Sequence, residues 1–215
     1  MPVYYLTEEI IFPPAEEAEP DGLLAAGGDL SAKRLLHAYR NGIFPWYNED
    51  EPILWWCPHP RFVLFPPELK VSKSMQALIK KETYTFTTNT AFSTVIDNCK
   101  TVSRKGQEST WINDTVKEAY TRLHDLGYAH SAEAWMDGEL VGGLYGIRLG
   151  SIFFGESMFS KQSNASKFAF IQYVRQLQAE GVVLIDCQVY TEHLESLGAR
   201  MIDRSIFLDY LKQQR

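Results

Sequence analysis

The sequence predicts an α+β protein with a small N-terminal domain over residues 1–62 and a larger C-terminal domain over residues 63–215, built on a mixed sheet. Three observations carry this. The stretch "IFPWYNEDEPILWWCPHPRFVLFPP" is aromatic and broken by proline, which suits short strands and a boundary rather than a helix. "AHSAEAWM", "ELVGGLYGIRL" and "SIFFGESMF" are joined by Asp137-Gly138 and by Leu149 to Ser151, both hairpin-type turns, so they form an antiparallel meander. A helix and a β-branched strand, "VVLIDCQVY", then follow, which requires a crossover.

In chain order, "FPPAEEAEPDGLLAAGG" reads as loop. "DLSAKRLLHAYRNG" reads as a short amphipathic helix, with Asp29 or Ser31 as N-cap, Leu35, Leu36 and Tyr39 as its apolar stripe and Gly42 as its stop. "VSKSMQALIKK" and "NDTVKEAYTRLHDLG" are helices; Asn113 or Asp114 caps the second and Gly127 ends it. After the meander, "SNASKFAFIQYVRQLQAEG" has Ser163 or Asn164 as cap, a wide apolar arc through Phe168, Ile171, Val174 and Leu177, and Gly181 as terminator. "EHLESLG" is a last short helix.

A chain of 215 residues that is 45% hydrophobic and 13% aromatic can bury a sizeable core. "MPVYYLTEEI" lacks a basic region followed by an apolar run, and no stretch reaches the ~18 uncharged residues of a membrane span, so a cytoplasmic protein without a membrane partner is expected. Cys57, Cys99 and Cys187 are odd in number and widely spaced, which points to thiols in a reducing compartment rather than to disulfides or zinc. No metal or cofactor is expected.

The net charge of −6 is unevenly spread. Residues 1–60 carry 3 basic and 10 acidic side chains, residues 61–122 carry 10 and 6, and residues 123–215 carry 8 and 11. Lys70, Lys73, Lys80, Lys81, Lys100, Arg104 and Lys105 can form one electropositive face for phosphates, though solvated lysines account for the counts as readily. Within "FFGESMFS", Glu156 sits among apolar neighbours with no adjacent cation; a carboxylate there is either exposed at a strand end or held for a purpose.

The order of meander, helix and strand resembles the acetyltransferase (GNAT-like) core typified by histone N-acetyltransferases. An acyl-CoA enzyme of that kind needs a glycine-rich loop after the central strand, so that backbone N–H groups reach the pyrophosphate. Here the position reads "SKQSNASK", without glycine, which argues against coenzyme A as donor.

A closer resemblance runs through "GLLAAGGDLS", "NGIFPWY", "ILWWCPHPRFVLFP", "TWI", "AHSAEAW", "ELVGGLYG", "FGESMFS", "NASK" and "LIDCQ". Together, and in this order, they are similar to the leucyl/phenylalanyl-tRNA-protein transferase family. The resemblance implies that Leu or Phe moves from aminoacyl-tRNA to the α-amino group of a protein beginning with Arg or Lys, marking it for degradation; a slot that admits unbranched or γ-branched side chains more easily than β-branched ones would also take Met and exclude Ile and Val. A monomer is expected. The resemblance places Glu156 at the active site, facing the cationic acceptor or the aminoacyl-adenosine. It gives Asp186 the task of orienting Gln188, whose amide oxygen draws the proton from the attacking amine; the tRNA ribose hydroxyl is the alternative relay. Leu144, Met158, Phe170, Tyr173, Leu177 and Ile185 match its apolar side-chain pocket, although core packing explains the same stripe. Trp46 and Trp111 match its adenosine-stacking positions, and Lys70, Lys73, Lys80 and Lys81 become candidate tRNA phosphate contacts. Trp55 and Trp56 read more simply as packing, and Cys187 as a small buried residue. Two other readings stay open: an N-acyltransferase with a thioester donor, and a noncatalytic RNA-binding module.

Overall fold

Proline and short apolar runs make the N-terminal strands brief. The computed structural model describes residues 3–101 and 112–213. Its first sheet contains β1 (Tyr4–Leu6), β2 (Leu23–Gly27), β3 (Phe44–Pro45) and β4 (Leu54–Trp56), in the order β1-β2-β4-β3, with α1 (Ala32–Arg40) between β2 and β3. β2 lies in the segment read as loop. Its small residues pair with both β1 and β4, tertiary contacts that local composition does not reveal.

The caps follow the sequence closely. Ser31 Oγ accepts from Arg34 N–H at the start of α1, and Gly42 ends the helix at φ +75°. Arg34 is fully buried, and its guanidinium donates to the carbonyls of Thr7 and Glu9, strapping the N-terminal segment over α1.

Beyond β4 the chain enters a seven-stranded mixed sheet through β5 (Arg61–Leu64). Next come α2 (Lys73–Lys80), β6 (Thr85–Thr88), α3 (Phe92–Thr101) and α4 (Asp114–Asp125). Asn113 Oδ1 accepts from Val116 N–H to cap α4. The expected meander is β7 (Ala129–Met136), β8 (Glu139–Leu149) and β9 (Ile152–Ser160). α5 (Ala165–Ala179) crosses over to β10 (Leu184–Gln188), which pairs parallel to β9. The Asn164 cap of α5 is left-handed (φ +65°) and makes no side-chain capping bond. α6 (Glu192–Glu195), β11 (Arg200–Ile202) and α7 (Arg204–Lys212) complete the chain, and the sheet order is β11-β5-β10-β9-β8-β7-β6. β6, α3, β11 and α7 had no counterpart in the sequence reading.

Two apolar clusters flank this sheet. One gathers the first sheet, α1, α3, α4 and α7 around Trp55, Tyr39, Tyr120 and Phe154; the other gathers α5 against Phe153, Leu144 and Ile185. α5 is apolar over most of its circumference because it is nearly enclosed. Gly142 lets it approach β8: a Cβ there would lie 2.6 Å from Ala165 Cβ.

Candidate active site

The site begins at two irregularities in the sheet. Along β9, Ser157 pairs with Tyr145 and Gly155 with Gly146, so Glu156 is an extra residue with no partner on β8. Along β10, Asp186 pairs with Val63 and Gln188 with Phe62, so Cys187 is extra, and Gln188 adopts φ +64°. β-bulges of this kind re-aim side chains and recur beside active sites. The strict alternation that put Asp186 and Gln188 on one face is therefore interrupted at Cys187.

The parallel pairing of β9 and β10 stops at Phe154 and Asp186. Two residues further on, the gap is bridged by side chains: Gln188 Nε2 donates to Glu156 Oε1 at 3.0 Å. Tyr39 Oη donates to the same oxygen at 2.7 Å, and Tyr120 Oη to Oε2 at 3.1 Å. The two phenols also touch each other. These three donors to Glu156 are all neutral. Burial therefore pushes its carboxyl up to about 7, although the phenols and the amide favour the charged form, while the nearby charge of Asp186 adds to the rise. Burial, and then the charge of Glu156, push both phenols well above their ordinary value.

Asp186 is held differently. It is fully buried, and both its oxygens are taken by Arg61: Nε donates to Oδ1 at 2.8 Å and Nη2 to Oδ2 at 2.6 Å. Oδ1 also accepts the backbone N–H of Gln188 at 2.9 Å. Its bond to Gln188 is thus through the main chain, and the Gln188 amide is aimed at Glu156.

The residues matched to the side-chain pocket lie in one cluster. Leu144, Phe170, Tyr173, Leu177 and Ile185 are buried together, with Met158 packed against them. Cys187 is buried in the same cluster, and burial, reinforced by the Asp186 charge, raises its thiol far above the ordinary value, which disfavours a thiolate nucleophile.

Trp46 is exposed, with its ring 5.9 Å from that of Trp56 and its carbonyl accepting from Trp56 Nε1. Trp111, Arg104 and Lys105 lie outside the described residues. Asn113 Nδ2 donates to Tyr47 Oη at 3.4 Å, so the chain two residues after Trp111 meets the neighbour of Trp46. Lys70, Lys73, Lys80 and Lys81 are exposed on and around α2. Lys100 does not belong with them: it pairs with Asp114 at 2.6 Å, because α3 and α4 bring opposite charges together.

Tyr39, Tyr120 and Arg61 were missed as site residues. Tyr39 looked like one more member of the α1 stripe, and Tyr120 carried no distinguishing pattern. Arg61 did leave a trace, as a cation heading the apolar run "RFVLF".

A family model described as leucyl/phenylalanyl-tRNA protein transferase matches residues 63–212, and one for the N-terminal domain of the same family matches residues 28–59. Similar proteins named leucyl/phenylalanyl-tRNA–protein transferase span nearly the whole chain. That of Syntrophobacter fumaroxidans is 57% identical, covering 99% of this chain and 91% of its own. That of Flavobacterium johnsoniae is 55% identical, covering 99% and 100%. Solved structures align more loosely. A GCN5-related N-acetyltransferase-like protein from Streptococcus suis has 13% identity and a TM-score of 0.38 over 66% of this chain and 59% of that one. Likeness at that level adds nothing to the assignment. The sequence relationship defines the chain as an aminoacyltransferase. It belongs to the leucyl/phenylalanyl-tRNA protein transferase family.

Proposed function

We propose that the chain moves a leucyl or phenylalanyl group from the 3′ end of its tRNA to the α-amino group of a protein beginning with Arg or Lys, and that Glu156, Asp186 and Gln188 form the reacting centre. The observation that carries this reading is the Gln188–Glu156 bond across the parting of β9 and β10, beside an apolar cluster. The donor ester is already activated, so no covalent enzyme intermediate is needed. The neutral amine attacks the ester carbonyl, the new C–N bond forms, and the C–O bond to the ribose breaks. The amine proton passes to the ribose oxygen, either by way of the Gln188 amide oxygen or through the neighbouring ribose hydroxyl. Orientation of amine and ester can supply on the order of 7–11 kcal/mol of the barrier.

Glu156, partly buried and ionising near neutrality, offers a negative charge within this ring of neutral donors to an incoming cation. The cluster of Leu144, Met158, Phe170, Tyr173, Leu177 and Ile185 receives the aminoacyl side chain. Trp46 and Trp111 stack on the terminal adenosine, and Lys70, Lys73, Lys80 and Lys81 meet tRNA phosphates. The enzyme acts in the cytoplasm as a monomer, with residues 1–62 as its small domain. No helix of the described residues is long and apolar enough to cross a membrane, which suits that setting.

Labelled leucyl-tRNA and two peptides differing only in N-terminal Arg or Ala test the reading. Label is expected in the Arg peptide alone, and less of it with folded Glu156→Ala or Asp186→Ala protein. Equal labelling of both peptides overturns the acceptor assignment and leaves the donor assignment standing.

A further inference from the structure

We propose that Arg61 is a positioning residue of the transfer reaction, acting through Asp186 to hold Gln188 in the left-handed backbone conformation that turns its amide toward Glu156. This rests on the reading of Gln188 as part of the reacting centre.

The Arg61 side chain is unusually constrained. Arg61 is 0% exposed, as is Asp186, and the two meet through the parallel fork of a bidentate pair. Two aromatic rings lie against the guanidinium: Cζ is 4.9 Å from the Phe44 centroid and 4.5 Å from that of Phe207. Nη1 makes no hydrogen bond among the described residues, so these ring faces are what it has in place of one. Phe44 belongs to the first sheet and Phe207 to α7, and Phe207 is itself closely seated, since a Cβ on Gly42 would stand 2.9 Å from its ring. Three parts of the molecule therefore converge on the position of one guanidinium.

That position is passed on by a single carboxylate oxygen. Asp186 Oδ1, which accepts from Arg61 Nε, also accepts the Gln188 N–H across the bulge. Gln188 has φ +64°, a conformation that side-chain-bearing residues hold only when their surroundings impose it. The amide so aimed donates to Glu156. Stability alone is a poor explanation for this arrangement, because a buried ion pair is commonly no more stabilising than apolar residues of similar volume. A precise anchor for an otherwise unfavourable turn is a function that only the forked, planar cation performs. Lysine has the charge but neither the fork nor the stacking face.

The test is a kinetic cycle on the full chain, with leucyl-tRNA as donor and an N-terminal Arg peptide as acceptor, each rate expressed per folded molecule. Arg61→Lys is expected to lower kcat about 10- to 100-fold, with KM for leucyl-tRNA changed by less than about threefold. Because Arg61 acts through Gln188, the double variant Arg61→Lys/Gln188→Ala is expected to be no slower than Gln188→Ala alone. A merely structural role would instead multiply the two losses, and that result overturns the proposal, as does a wild-type kcat in Arg61→Lys. Should Arg61→Lys not fold, Phe207→Leu replaces it in the same cycle, because it removes one aromatic face and leaves the ion pair in place. A wild-type rate in Gln188→Ala would sink the reading of the reacting centre itself, and is thus distinguishable from failure of the Arg61 role.

Discussion

Tyr39 Oη donates to Glu156 Oε1 at 2.7 Å, joining a helix beside the first sheet to the bulged strand of the second. This bond makes the carboxylate's surroundings depend on how the two sheets meet, and it brings Glu156 into contact with hydroxyls rather than cations.

The first prediction concerns stability against pH. Folded, Glu156 keeps its proton to about pH 7; the ordinary value is 4.5. The native state therefore binds more protons than the unfolded state within that window, and this group's contribution to stability falls as pH rises through it. Glu156→Gln, which cannot ionise, is expected to gain on the wild type from pH 4.5 to pH 7, with the full difference present by about pH 8. Urea unfolding of both proteins at pH 5 and pH 8 measures this. An identical difference at the two pH values would count against it.

Transfer should show the same ionisation from the other side. If the charged form attracts the basic acceptor, kcat/KM for an Arg peptide rises through about pH 7, alongside a second limb from the acceptor's own amine at about 7.7–8.0. Glu156→Gln is expected to keep only the second limb. A wild-type profile in that variant would remove Glu156 from acceptor binding.

Asp186→Ala leaves the Arg61 guanidinium buried without its partner. It should destabilise the fold by about 3–5 kcal/mol, far more than the loss of an exposed pair such as Lys212–Asp209. Denaturant midpoints for Asp186→Ala and Asp209→Ala make the comparison; similar shifts would mean that the pair is less dry than its burial indicates.

Among the six residues matched to the side-chain pocket Met158 is the partly exposed one, so truncating it opens space at modest structural cost. Met158→Ala is expected to raise the ratio of phenylalanyl to leucyl transfer several-fold in competition assays, since the larger side chain profits from added room. An unchanged ratio would place the aminoacyl side chain elsewhere.

The exposed lysines bear on tRNA affinity. Replacing Lys73, Lys80 and Lys81 together by alanine should weaken binding and flatten its dependence on salt, by roughly 0.7–0.9 in log–log slope for each phosphate left without its lysine. Titrations at several salt concentrations decide it; a parallel shift with the slope intact would mean that these side chains touch no phosphate.

Much of the architecture could be read from residue order because its signals are local. Ser31, Asn113, Gly42 and the Asp137-Gly138 turn act within a few positions of themselves, and the meander follows from them. β2, by contrast, has small residues whose strand character comes from β1 and β4, one of them more than twenty residues away. The site divides in the same way. Glu156 stands out as a lone carboxylate in an apolar run, and the motif resemblance marks Asp186 and Gln188 as candidates. The phenol of Tyr39 and the guanidinium of Arg61 owe their places to partners 117 and 125 residues distant, and no periodicity encodes such a meeting. The two bulges were equally invisible, since each is a mismatch between strands rather than a property of either.

Gly142 shows how narrow the tolerances around the apolar cluster of α5 are. Its Cα stands where any larger residue would collide with the first turn of α5 at Ala165 and Ser166, and that helix bears Phe168, Phe170 and Tyr173. A single methyl group there would act as a wedge, tilting three rings at once. If that apolar cluster receives the aminoacyl side chain, as proposed, its shape is set in part by a backbone position that contributes no side chain to it, which makes this glycine a place to look when relatives differ in the amino acid they prefer.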